Sequence, residues 1–500
     1  MKKIFCILAT ALALSACGES WLDVPSKSSI LESDYYNSAD RLFTGVVAAY
    51  DCLNWFDYSG YQYIATNLLS DVMADDIYAG GSNAGDQPKI VNAHFYSLTA
   101  VDQSDAIWMV CYSGINRANI VLQKAPTSEM NESLRNRYIA EATILKAYYW
   151  NTLWHFWGNI PYYDANVTAD EAYSAPQLSA DDVYANVIKL IEDAIAMNAL
   201  PMKANVGEEG RVTQAMAYML YTEMVLYQND KSRYSTALGY MKEIISSNKY
   251  SLMNNFAGIW EESGEWCSES IFEINFESVG GNHNWDYGIS TGGNVYPVLI
   301  GIPGAKESSG FSDGWGFSPV SPNVYAQYEE GDQRRDGGIL NWSGKDNTGG
   351  DYTARWQDTG FFLLKYIARV GGNHDYVGDQ NLNYGNNRRI YRYAETLLNA
   401  AELSLATGSD GSAYLDQVRD RAGVSHVACT AENILNERRL EFVGEGKRYW
   451  DLVRTGNAAT VLKAANHEYR TTDWTENKKY WPIPQSEIDR NVNTITQNPY

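Results

Sequence analysis

Several short patterns in this chain could carry chemistry. Gly288-Ile289-Ser290-Thr291-Gly292 fits the G-x-S-x-G pattern that presents a nucleophilic serine in hydrolases. Such a serine works only where a strand delivers it to a sharp turn opening into a helix, and here Gly293, Asn294 and Pro297 follow, so no proper helix is expected. The six histidines are scattered, without HExxH or paired-cysteine spacing, and read as surface or satisfied core residues. No Walker loop is present. Asp346-Asn347-Thr348-Gly349-Gly350-Asp351 offers oxygen ligands for calcium but lacks the EF-hand spacing and its distal glutamate, so it reads as a solvated turn. A glycosidase carboxylate pair is defined by separation in space, and 61 acidic residues leave that possibility open. These patterns identify no catalytic residue, no cofactor and no metal site.

Binding chemistry is better represented. The chain holds 37 Tyr and 15 Trp against 13 Phe. Rings with a polar handle suit half-wet surfaces and ligand platforms, although most should pack between helices. Residues 250–385 hold 23 of the 40 glycines and 4 of the 13 prolines together with many aromatics. Polar disorder would not contain so many Trp and Tyr, so a functional loop region is expected there.

Helices must carry these loops. Leu42, Phe43, Val46, Val47, Tyr50 and Leu53 recur at helical spacing, as do Tyr138, Ile139, Ala142, Leu145, Tyr149 and Leu153, continuing to Phe156 before Gly158 and Pro161. Ser179 is a good N-cap for a helix carrying Val183, Val187, Ile191 and Ile195. Further helices are predicted at about 105–123, 213–228, 234–247, 388–406, 411–422 and 430–443, and Ile271-Phe272-Glu273-Ile274-Asn275-Phe276 reads as a short strand. The fold class is mainly α, a tetratricopeptide-like helix-pair scaffold with a large irregular loop-rich lobe. The expected divisions are a signal peptide at 1–16, an anchored segment at 17–34, scaffold at 35–250, a Gly- and aromatic-rich lobe with the ligand face at 251–387, and scaffold again at 388–500.

The N-terminus is that of an exported chain. Lys2 and Lys3 precede an apolar run, Ile4 to Leu14, which is too short to span a bilayer and ends in Leu14-Ser15-Ala16-Cys17. This looks like a bacterial lipobox, with Cys17 acylated and the protein held to a membrane by its lipid. Cys52, Cys111, Cys267 and Cys429 remain without a spacing that specifies a disulfide; buried free thiols are expected. A net charge of −22 with no basic cluster argues against nucleic-acid binding.

Four C-terminal blocks then carry a resemblance: Arg392-Tyr393-Ala394-Glu395 through Glu402, Val418 to Val424, Glu437 to Arg454, and Tyr480-Trp481-Pro482-Ile483-Pro484 with Asn498-Pro499. Upstream, Trp21-Leu22-Asp23-Val24-Pro25 and Ala140-Glu141-Ala142 through Gly158-Asn159-Ile160-Pro161 agree in order. The chain resembles the SusD/RagB nutrient-binding outer-membrane lipoproteins of Bacteroidetes. Taken physically, the Glu and Arg of 437–454 suit ion pairs at a packed helix junction, with Gly446 permitting the break.

The resemblance implies a binding protein and not an enzyme: a cell-surface, lipid-anchored glycan-binding protein that captures oligo- or polysaccharide and delivers it to a SusC-like TonB-dependent transporter. A peptide-binding member of the family, or a lipid-anchored glycoside hydrolase, are the alternatives. In the family's starch-binding founder, rings embrace the sugar; a Tyr-Gly-x-Ser-Thr segment matches Tyr287 to Thr291 here and a Gly-Trp pair matches Gly314-Trp315. A third ring corresponds loosely to Tyr78. Trp285 adjoins Tyr287, and Asn282, Asn284, Asn294 and Asp313 offer partners for sugar hydroxyls. The candidate ligand residues are thus Trp315, Tyr287, Trp285, Tyr78, Asp313 and Asn284.

Overall fold

The computed structural model describes residues 35–345, 351–491 and 495–500. Cys17, the signal and anchor segments, and most of the Asp346–Asp351 turn lie outside the described residues.

The scaffold is built from helices packed largely on their neighbours in the chain. They are α1 (Ala39–Asn54), α2 (Thr66–Met73), α3 (Pro88–Phe95), α4 (Ala106–Lys124), α5 (Glu132–Trp157), α6 (Ala180–Ala196), α7 (Gln214–Gln228), α8 (Tyr234–Ser246), α9 (Tyr393–Ala406), α10 (Ser412–Ala422), α11 (Ala431–Glu441) and α12 (Arg448–Arg454). Helix α4 packs on α1 and α5, α5 on α6, α6 on α7, α7 on α8, and α8 on α9. Helix α5 is the hub. From Ala140 to Trp157 all its side chains are buried, including Trp150, Trp154 and Trp157. Gly114 of α4 lets that packing close, because a Cβ there would lie 2.3 Å from the Tyr149 ring. The predicted cap is present: Ser179 Oγ accepts from Asp182 N at 3.2 Å.

Among the described residues the strands form four two-stranded antiparallel ribbons: β1 (Tyr58–Ser59) with β2 (Gln62–Tyr63), β3 (Ile160–Pro161) with β4 (Gln177–Leu178), β5 (Ser270–Ile274) with β8 (Arg388–Arg392), and β6 (Ile339–Asn341) with β7 (Phe361–Leu363). The helix expected over 388–406 begins only at Tyr393. Residues 388–392 are β8, paired Ile274↔Arg388 and Ser270↔Arg392, because the buried β5 edge takes their backbone groups.

The junction of Glu437–Arg454 is the expected ion-pair cluster. Arg392 donates to Glu441 at 3.0 Å, to Glu445 at 2.7 Å and to Glu269. Arg421 joins Glu269 at 2.9 Å and Glu441 at 2.5 Å, and Arg438 reaches Asp451 at 2.8 Å. Gly446 takes φ +76° and its N–H donates to Asp71 at 3.0 Å. The four cysteines are free; Cys52 and Cys111 are buried, whereas Cys267 and Cys429 are only half-buried, short of full burial for all four. Among the described residues no helix is long and apolar enough to cross a membrane.

Candidate functional site

The site begins with a hairpin. In Tyr58-Ser59-Gly60-Tyr61-Gln62-Tyr63 the turn residues Gly60 and Tyr61 both have positive φ, +57° and +60°, the conformation a two-residue hairpin turn requires. The Tyr287–Ser290 segment lies alongside as a third extended piece: Gly60 N donates to Gly288 O at 2.7 Å and Ser290 N to Tyr58 O at 2.9 Å. Beneath it, the buried Asp57 carboxylate accepts from Val295 N at 2.8 Å, Tyr296 N at 3.2 Å and Ser290 Oγ at 3.4 Å. Burial pushes the Asp57 carboxyl up to about 6 despite those donors.

This frame presents rings. Trp285 stacks on Trp315 with centroids 6.0 Å apart and planes 28° apart. Tyr58 meets the Trp285 ring edge-on at 5.9 Å, and Tyr63 meets Trp315 at 5.8 Å. The Trp285 Nε1–H donates to Asp379 Oδ2 at 2.9 Å, fixing the indole. Trp315 is held from behind by its own backbone, where Trp315 N donates to Val298 O at 2.8 Å and Gly314 N to Ile302 O at 2.9 Å. Glycine is required before it: a Cβ on Gly314 would lie 2.2 Å from the Gly301 carbonyl carbon. Outward, Tyr61 is 67% exposed, Tyr287 41% and Trp285 36%, while Trp315 is half-buried.

Of the six sequence candidates, Trp285 and Trp315 thus come together, and Tyr287 sits exposed on the segment that pairs with the hairpin. Asn284 adjoins them, half-buried, its backbone carbonyl accepting from Tyr287 N at 3.0 Å. Asp313 is exposed two residues from Trp315, with Oδ1 accepting from Gly304 N at 2.6 Å. Tyr78 does not join them. It is 2% exposed, its hydroxyl faces Ser321 Oγ at 3.3 Å, and its ring is boxed by His467 at 4.8 Å and Tyr469 at 4.9 Å. Three residues on, Gly81 N donates to the backbone of the residue after Trp315, Gly316 O, at 3.0 Å. Asn294 is likewise internal, donating to Tyr384 O and Asn386 O.

The hairpin tyrosines and Asp379 were not among the predicted residues. Tyrosines at 58, 61 and 63 around Gly60 are a hairpin pattern in the sequence, whereas Asp379 is 94 residues from its indole.

Ser290 of the hydrolase-like pattern is buried, with Asp57 and the Tyr58 backbone as its partners. His283, beneath the Tyr58 ring at 5.4 Å, is lowered to about 4 by burial and so stays neutral near pH 7. Among the described residues no group of three or more His, Cys, Asp or Glu is placed to hold a metal ion.

A helix-pair scaffold that carries a loop-built aromatic face is the SusD-like architecture, and the chain belongs to the SusD family. Residues 340–500 match the SusD family, and residues 20–226 match the family described as starch-binding associating with outer membrane. Surface glycan-binding protein A from Bacteroides thetaiotaomicron, solved in complex with laminarihexaose, is 43% identical with a TM-score of 0.88, covering 93% of this chain and 100% of that one. The protein of the same description from Bacteroides uniformis is 41% identical with a TM-score of 0.84, covering 93% and 100%. Starch-binding protein SusD of Bacteroides thetaiotaomicron is 31% identical over 114 residues, 22% of this chain and 20% of that protein.

Proposed function

We propose that this chain is a cell-surface glycan-binding lipoprotein that captures a laminarin-type glucan on the face formed by Trp285, Tyr287, Trp315 and Tyr61. The observation that carries the reading is the set of exposed rings on a hydrogen-bonded frame. Sugar rings offer an apolar C–H face that packs on indole and phenol, and their hydroxyls find Asp313, Asn284 and backbone groups at the rim. The laminarihexaose-bound relative supports this glucan over starch, because it matches over nearly the whole chain while the starch-binding protein matches over a fifth. Acylated Cys17 would hold the protein to outer-membrane lipid, facing outward, and the captured glycan would pass to a SusC-like TonB-dependent transporter. No catalytic step is assigned.

Calorimetry with laminarin, starch and a peptide panel tests the binding reading. Laminarin binding that is lost in Trp285→Ala supports it; peptide binding without glycan binding, or release of sugar on incubation, overturns it. Loss of Cys17→Ala protein from the membrane fraction, and copurification of the intact protein with a TonB-dependent transporter, test anchoring and delivery.

A further inference from the structure

Away from the aromatic face, a cavity of about 120 Å³ lies where α2, α5, α7, α9 and β8 converge. Most of its cations are matched. Lys447 lies 3.1 Å from Glu395 and 3.7 Å from Glu223. Arg438 pairs with Asp451 at 2.8 Å, and Arg454 pairs with both Glu402 and Asp451. Arg389 has Glu273 at 3.6 Å.

Arg388 is the exception. It is 3% exposed, and its only side-chain hydrogen bond among the described residues is a long one, from Nη1 to Phe56 O at 3.4 Å. Its Nε and Nη2 atoms have no partner. Asp57 is close enough to be stabilised by this guanidinium, but its oxygens already receive Val295, Tyr296 and Ser290. Two further lining atoms, Asn67 Oδ1 and Asn151 Oδ1, are also buried without a donor.

A buried guanidinium whose donors are left unpaired costs several kcal/mol, and the nearby Asp57 carboxylate is taken up by three other donors, so a polar cavity beside the free Nε/Nη2 edge invites an anion. The Nε/Nη2 edge is the planar fork that holds an oxyanion through two parallel hydrogen bonds. The volume is several times what one water needs, which leaves room for waters that donate to the two amide oxygens.

We propose that the cavity is a binding site for a small oxyanion, a carboxylate or an inorganic one, held by the Nε/Nη2 edge of Arg388 and hydrated on the side of Asn67 and Asn151. The cavity shares no lining residue with the proposed glycan face, although Arg388 neighbours Asp57 beneath it.

Two measurements on the full mature chain test it, with selenate and formate as probes. Crystals grown in selenate should show an anomalous peak within hydrogen-bond distance of Arg388 Nε and Nη2; water alone at that edge overturns the proposal, and this needs no variant. In solution at constant ionic strength, formate replacing chloride should raise the thermal midpoint saturably by about 3 °C. Arg388→Met should abolish that rise, and an equal rise in the variant would count against the site. Selenate at the edge without a formate response would assign the site to tetrahedral inorganic oxyanions, and both together would include carboxylates.

Discussion

The ion-pair junction and the aromatic face use their functional groups in opposite ways. At the junction Glu441 sits between Arg392, Arg421 and Arg334 with no exposed surface, and nearly every bonding capacity is spent inside the protein. At the face, Trp285, Tyr287 and Tyr61 each turn part of a ring outward, and the one indole N–H that is occupied serves to fix the ring. A dense array of charges in the first region resembles a reactive site in sequence, yet its saturation makes it structural. Unspent surface on a hydrogen-bonded frame is what supports the second region as the proposed place for a ligand.

The largest expected effect breaks the junction. Glu441→Ala would leave three guanidinium groups without their shared partner, and the loss should be about 3–5 kcal/mol of folding stability, read by chemical denaturation. Any protein that remains folded should bind glycan with its native affinity, since no ring of the face touches this cluster. A selective loss of affinity at unchanged stability would erase the distinction between the two regions.

Asp57 lies between the two, a junction-like carboxylate underneath the face. Burial raises its carboxyl to about 6, against about 3.9 in an unfolded chain. Between those values the folded protein keeps a proton that the unfolded chain has released. This contribution to stability is therefore fully present below about pH 4 and lost as the pH rises through about 6, by on the order of 2–3 kcal/mol at most. The stability of native protein minus that of Asp57→Asn should fall across that window. A difference that is flat with pH would show that its Val295 and Tyr296 donors, not burial, govern the group.

At the face itself, Trp315→Ala should weaken glycan binding by about 2 kcal/mol, roughly 30-fold in Kd by calorimetry. Trp315 also packs on Tyr63, so some thermal stability should go with it. Unchanged affinity would reduce the ring to a pin between the loops and the scaffold.

Much of this was legible in the chain. The periodic runs of α1, α5 and α6 located those helices, because an apolar stripe at helical spacing has few other ways to be buried. Arg388 to Arg392 misled, since five residues continuing into a helix carry no sign of the distant strand that pairs with them. Trp285 and Trp315 were found individually, but their stacking depends on Asp379 and Gly301, whose nearness is a property of the fold. Tyr78 failed for a related reason: its position in the loop matches, while three neighbouring rings and Ser321 enclose it.

The smallest expected effect is the sharpest test of the contrast, because stability and binding should move in opposite directions. Tyr61 holds a left-handed conformation at the tip of the hairpin, which costs a side chain about 1–2 kcal/mol relative to glycine, yet its ring is the most exposed of the set. A protein selecting only for stability would place glycine there. Tyr61→Gly should therefore leave stability unchanged or raise it by up to about 1 kcal/mol, while weakening glycan binding several-fold. A variant that loses stability and keeps its affinity would show that the tyrosine is packed rather than presented, and would remove the hairpin from the site.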